Sequence, residues 1–428
     1  MTINRRKALQ GATSVVLAGV GSGLAAPYAG AQAAPRVIIV GGGAGGTACA
    51  VALKTRAPRL AVTLIEVQPV YTTCFYSNHH IAGLRTLESL VHSYDGLRKL
   101  GIEVVHDWAA GVDATAKTVT LQGGNVLGYD RLVLSPGIDF LYDSVPGYSP
   151  EAAHVLPHAF KAGTQTRILR QQLMDMPDGG VVVVVAPQTP YRCPPAPYER
   201  VCLMAHYLKL AKPRSKIVVL DPKKAFSKQS LFVEGWKAHY PGMVDLQLSD
   251  EIDSHAIARL DAKTKEFETQ AGFKIKADVA NIIPNQTAGA IAFKAGCVEG
   301  NWCPVDPGTF ASTKAAGIYV LGDATIAGDM PKSAYSANSQ AKVVANAIAA
   351  ELGGKERIAP TLRNTCWSLI APGDSVKLGA DYTVSGGRLT LANSFISQTG
   401  EAPGVRAQNA KDSTAWYHAI TAEIFAGT

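Results

Sequence analysis

The chain has no run of basic residues. Its formal charge is +7 over 428 residues, and it falls to +4 once Arg5, Arg6 and Lys7 are set aside. So mild an excess gives nucleic acid no electrostatic handle. The seven cysteines include no C-x-x-C pair, no C-x-x-C-H and no zinc-finger spacing. This chain therefore attaches no c-type haem and forms no zinc finger. His79, His80 and His206 lack ligand spacing with acids, so no metal site is expected. No internal repeat or low-complexity tract occurs. Past residue 33, no segment reads as long and apolar enough to span a membrane.

What is present begins with Val37-Ile38-Ile39-Val40, four β-branched residues that read as a buried parallel strand. Gly41, Gly43 and Gly46 follow in G-x-G-x-x-G spacing, and a helix opens near Thr47. The three glycines serve a tight turn, close approach of backbone to a pyrophosphate, and close helix–sheet packing. The helix N-terminus adds free N–H groups for the phosphates. The next strand, Val62 to Glu66, ends in an acid twenty residues after Gly46, placed to bind a ribose hydroxyl.

The first 33 residues read as an export leader. Asn4-Arg5-Arg6-Lys7 is a twin-arginine core, Gly11 to Ala26 is modestly apolar, and Ala31-Gln32-Ala33 suits cleavage. Ala8 stands where such signals usually carry a bulky apolar residue. The expectation is a mature chain beginning near Ala34 and a periplasmic location. The rest suggests about three domains by length, and 47% hydrophobic residues support buried cores.

A second α/β unit runs through the strand Val181 to Val185, a helix from Pro195 to Leu210, and the strand Ile217 to Asp221. The turn between them, Ala186 to Pro195, contains no glycine. Proline offers no N–H and side chains block a phosphate, so this unit keeps a nucleotide-domain shape without binding NAD(P)H there. The chain then returns to the first domain. Gly317 to Asp323 is another strand ending in Gly322-Asp323, whose carboxylate can accept a ribityl hydroxyl. Val119-Thr120-Leu121 and Arg131 to Leu134 read as short strands around a Gly-Gly-Asn turn, the second ending in Ser135-Pro136-Gly137. A helix is expected after Met330-Pro331-Lys332-Ser333, its N-terminus suited to negative charge. Ser375 to Ser397 alternates around Ser385-Gly386-Gly387 and reads as a hairpin, followed by a helix carrying Trp416, Ile420 and Ile424.

These segments resemble the FAD-binding parts of two-dinucleotide-domain flavoproteins. Tyr71-Thr72-Thr73-Cys74, Tyr191-Arg192-Cys193-Pro194-Pro195, Met330 to Ser333 and Asn364-Thr365-Cys366 resemble, more narrowly, the flavoprotein subunit of flavocytochrome c sulfide dehydrogenase. The resemblance implies an α/β fold of two Rossmann-like, glutathione-reductase-like domains plus a small C-terminal α+β interface domain. The expected division is 34–150 with 285–355 for FAD, 151–284 for the second unit, and 356–428 for the interface. It implies FAD bound through Gly41, Gly43, Gly46, Glu66, Gly137, Gly322, Asp323 and Lys332, and tethered at its 8α carbon to Cys74. It also implies a redox-active disulfide between Cys193 and Cys366, and a c-type cytochrome partner, carrying the haem, in a heterodimer.

The chemistry suits those residues. HS⁻ can attack a disulfide sulfur, leaving a persulfide on one cysteine and a thiolate on the other. Which cysteine takes the sulfide is open. Glu199, six residues past Cys193, can exchange protons nearby or can be an ordinary first-turn acid. Lys332 can face the flavin or be a surface lysine. Cys49 and Cys202 read as inert core residues, and Cys297 with Cys303 as a local disulfide or two thiols. Two other readings stand: a membrane-associated sulfide:quinone oxidoreductase, and an exported FAD subunit that only relays electrons.

Overall fold

The computed structural model describes residues 33–249 and 254–426, so the leader through residue 32 lies outside them. The first sheet is parallel and has five strands. Its order is Ile318–Val320, Arg131–Leu134, Arg36–Val40, Ala61–Ile65 and Glu103–Val105. Alternation along Arg36–Val40 explains its apolar run. Val37 and Ile39 face a core built with the helices Ala44–Arg56 and Ala334–Gly353. Ile38 and Val40 face an opposite core containing Trp302 and Ala288. Both faces of the sheet are covered, as a parallel sheet requires.

The second parallel sheet repeats the logic. Its order is Val244–Leu248, Lys216–Asp221, Val181–Val185 and Val279–Ile282. Val182 and Val184 pack with residues of the helix Ala196–Ala211, whereas Val183 and Val185 pack with Leu260 and Phe267. Pro195 caps that helix rather than opening it.

The C-terminal part is a three-stranded antiparallel sheet, Leu362–Ala371, Asp374–Ser385 and Arg388–Ile396. Gly386 and Gly387 form its two-residue turn at φ +56° and +74°, where a side chain would be strained. The helix Pro403–Ile424 follows. Trp416 is half-buried against Phe75, Tyr335 and Trp367.

One expected pairing is corrected. The Gly123-Gly124-Asn125 turn joins Thr118–Leu121 to Val126–Gly128 in a separate antiparallel sheet. Arg131–Leu134 instead enters the first parallel sheet, because Leu132, Val133 and Leu134 are fully buried between its two cores.

Candidate active site

At the carboxyl ends of the first sheet the backbone is bare for a reason. Gly41 has φ +106°, and a Cβ there would sit 2.2 Å from the Ser135 carbonyl oxygen. A Cβ on Gly46 would sit 1.9 Å from the Gly41 carbonyl oxygen. Gly43 meets only the Tyr71 ring, 3.6 Å away. The result is a cavity of about 820 Å³ lined by Gly41, Gly43, Glu66, Cys74, Gly137, Cys193, Glu199, Gly322 and Asp323 among others. Gly46 lies outside the lining and acts by packing. Glu66 accepts from the Gly42 amide at 2.7 Å and from the Gln68 amide at 2.9 Å, which orients its carboxylate at the rim. Gly46→Ala is expected to lower flavin retained per chain by about tenfold or more, since ~1.4 kcal/mol of distortion suffices for that factor. Flavin absorbance per protein after gel filtration measures it.

Further along the wall, Asp323 and Arg192 face each other, with Nη1 and Oδ2 3.8 Å apart. Oδ1 of Asp323 and Nη2 of Arg192 are buried without a partner. Burial raises the Asp323 carboxyl, opposed by Arg192 and Lys332. Two orphaned polar atoms on a cavity wall mark where a polar ligand belongs. Lys332 is not in the lining. Its ammonium donates to the carbonyls of Asp323 at 2.9 Å and Thr325 at 2.6 Å, and lies 3.7 Å from the centre of the Trp302 ring. Burial pulls that lysine down to about 8. Its visible work is to brace the Asp323 turn.

The sulfurs come next. Cys74 lines the cavity on the segment after Val70–Thr72, under the aromatic contacts of Phe75 with Trp416 and Tyr417. Cys193 occupies the left-handed region at φ +53°, which costs a side-chain-bearing residue energy. Its amide donates to the Lys332 carbonyl at 2.8 Å, which holds it there. Burial pushes its thiol up, and so do the neighbouring Cys366 and Glu199. Cys366, remote in sequence, is thus within electrostatic reach of Cys193. No disulfide joins them, and all seven cysteines are free thiols. Cys366 Sγ lies 3.5 Å from Asn364 Nδ2. Asn364 accepts from Ser333 Oγ at 2.6 Å, and Ser333 caps the helix Ala334–Gly353.

Glu199 lies in the first turn of the helix Ala196–Ala211. It accepts from Asn78 Nδ2 at 2.8 Å and from the Leu369 amide at 3.0 Å. Burial raises its carboxyl, against these bonds and the charges of Lys228 and Arg200. The neutral form is therefore closer to reach than on a surface, as a proton carrier needs.

Behind this wall, the positions of the second domain that correspond to a dinucleotide site are engaged within the protein. Asp221, at the strand end where an acid would meet ribose, is fully buried. It accepts from Tyr198 at 2.6 Å and pairs with Lys223 at 2.6 Å. The glycine-free loop is pinned instead. The Arg192 amide donates to Gln286 at 2.8 Å, and Tyr191 donates to the Pro194 carbonyl at 2.7 Å.

Sequence reasoning left four residues unassigned: Asn78, Arg192, Arg200 and Lys228. Arg192 lies inside the Tyr191–Pro195 motif, and Asn78 lies four residues past Cys74. Arg200 and Lys228 carry no local signal, because only folding buries them. Cys49 and Cys202 are core residues, with Trp236 donating to Cys202 Sγ at 3.0 Å. Cys297 and Cys303 are buried, neighbouring thiols. Among the described residues no cluster of metal ligands occurs, and no helix is long and apolar enough to cross a membrane.

Comparison with known proteins separates the parts of the chain. Residues 166–284 match the central domain of the flavocytochrome c sulfide dehydrogenase flavoprotein chain, and residues 358–425 match its flavin-binding domain. Residues 35–185 match the pyridine nucleotide-disulphide oxidoreductase family. All three matches are to parts of flavin-dependent oxidoreductases, and together they support a flavoprotein.

The chain is 31% identical to the sulfide-quinone reductase of Aquifex aeolicus over 41% of its length, and the match spans 39% of that relative's length. It is 25% identical to the mitochondrial sulfide:quinone oxidoreductase of Dictyostelium discoideum over 74% of the chain and 71% of the relative. The solved Aquifex aeolicus sulfide:quinone oxidoreductase shares its fold, with TM-score 0.69 and 19% identity over 92% of each chain. A ferredoxin reductase from Rhodopseudomonas palustris also shares it, with TM-score 0.64 and 18% identity over 85% of this chain and 89% of that one. FAD fits the site. The bare glycine cradle suits its pyrophosphate, and the unpartnered Asp323 and Arg192 atoms supply polar groups where none is otherwise satisfied.

Proposed function

We propose that this flavoprotein oxidises sulfide through Cys193 and Cys366 and passes the electrons to a c-type cytochrome in the periplasm. The reading is supported by Cys193 lining the cavity that also holds Cys74, with Cys366 close enough to act on the Cys193 thiol electrostatically. When bound, FAD supplies a two-electron acceptor. The chain's own residues do the rest. Cys193 and Cys366, joined as a disulfide, present an electrophile to HS⁻. Glu199 holds or releases a proton beside them. The Ala186–Pro195 loop fills the place a nicotinamide would use. Cys74 tethers the cofactor at its 8α carbon.

The cytochrome reading is favoured over quinone by the family models of the central and C-terminal parts, which are those of the flavocytochrome c flavoprotein chain. The quinone alternative draws on the two relatives named above. Reoxidation of the sulfide-reduced protein separates them. Fast reoxidation by a c-type cytochrome and slow reoxidation by a short-chain quinone is expected; the reverse order overturns the cytochrome assignment. The tether has its own test. Denatured protein should carry the mass of FAD, and Cys74→Ser should lose that mass while still binding flavin before denaturation.

A further inference from the structure

We propose that Lys228 is the positioning cation of the sulfur pair, set to balance the negative charge that appears when the Cys193–Cys366 disulfide opens. The inference rests on the reading of those cysteines given above. Lys228 comes from the second domain, at the start of the helix Gln229–His239, and is 5% exposed. Its backbone lies in the left-handed region at φ +63°, a strained conformation for a residue with a side chain. Its ammonium donates to the Cys366 carbonyl oxygen at 2.9 Å and to Ser368 Oγ at 3.1 Å. Both acceptors are neutral, and an ammonium has three donors.

A buried cation held by two neutral acceptors is poorly compensated, because burial penalises the charged form. The ionisable groups near enough to compensate it are Cys366, Glu199 and Cys193. Glu199 is already bonded to Asn78 and the Leu369 amide, and Arg200 is also beside it. Arg192 and Arg200 also act on Cys193, but Arg192 faces Asp323 as well, and Arg200 is bonded to Asn78, Asn281 and the carbonyls of His158 and Ala159. Lys228 is thus the cation whose charged neighbours include both sulfurs and whose bonds fix the backbone of one of them.

The step needs that charge. HS⁻ forms a new S–S bond to one cysteine as the Cys193–Cys366 bond breaks. The incoming sulfur is oxidised by one level, and the departing cysteine sulfur is reduced to a thiolate. One negative charge enters with HS⁻ and one remains on the thiolate. A nearby ammonium favours the opened form over the disulfide, and so raises the reduction potential of the pair.

The test is a thiol–disulfide titration of the full-length, flavin-loaded protein against dithiothreitol buffers at neutral pH, with thiols trapped by alkylation and mapped by mass. Lys228→Met is expected to shift the equilibrium toward the disulfide by about tenfold, which is about 30 mV for this couple. Lys228→Arg is expected to stay within about threefold of the parent, because the charge is kept. Equal potentials for the parent and Lys228→Met would overturn the role of Lys228 while leaving the disulfide reading intact. Failure to map any Cys193–Cys366 disulfide in the oxidised parent would overturn both. Should the methionine variant not accumulate, Lys228→Gln keeps a donor for Cys366 and Ser368 and gives the same comparison.

Discussion

Cys193→Ser and Cys366→Ser should each slow sulfide-dependent flavin reduction by about a thousandfold or more, on the scale expected when one member of a concerted unit is removed. A serine cannot form the disulfide, so HS⁻ meets no electrophile. Flavin content should be unchanged in both variants. Cys193 is on the wall of the cavity but is held by its own backbone bond to Lys332, and Cys366 is outside the lining. Neither thiol is needed for the glycine cradle. The double variant should be no slower than either single one, because the pair acts as a unit. Stopped-flow flavin absorbance after anaerobic mixing with sulfide measures this. Retention of full rate in either variant would remove the pair from the mechanism.

Arg200→Met should destabilise the protein by about 3–5 kcal/mol, the range seen when one partner of a buried charged network is removed. Arg200 is 2% exposed. It donates to Asn78 and Asn281 and to the carbonyls of His158 and Ala159, at 2.6 to 2.9 Å. These partners come from the Cys74 segment, the last strand of the second sheet, and the connection between domains. Burial pulls the guanidinium down to about 9, so it stays charged at neutral pH. Methionine fills much of the volume but takes the Arg200 donor from Asn78, Asn281 and the Ala159 carbonyl, leaves the His158 carbonyl only its bond from Asn281, and removes one of the cations beside Glu199. Urea unfolding followed by flavin and tryptophan fluorescence reads the loss, and Cys74-segment disorder should accompany it.

The first strand, its glycines and Glu66 were legible because their constraint is local. Gly46 must be bare for the backbone five residues earlier, and the spacing states that directly. The turn Ala186–Pro195 was legible as glycine-free. The structure adds the physical partner of that absence, with Asp221 engaged by Tyr198 and Lys223. Arg131–Leu134 was assigned to the wrong neighbour because a short apolar strand carries no mark of its sheet. Lys332 was read toward the cofactor or the surface. Its carbonyl partners, Asp323 and Thr325, are set by a turn that no periodicity reveals. Lys228 was beyond reach, since a lysine after Phe226-Ser227 reads as solvated until the C-terminal sheet folds over it. The proximity of Cys193 and Cys366 came only through family resemblance, because no spacing rule links residues so far apart.

The most direct test is anaerobic addition of stoichiometric sulfide to the oxidised, flavin-loaded protein, with rapid quenching and peptide mapping. The account predicts bleaching of the flavin together with a persulfide on Cys193 or Cys366. A flavin that stays oxidised beside an intact Cys193–Cys366 disulfide would contradict it.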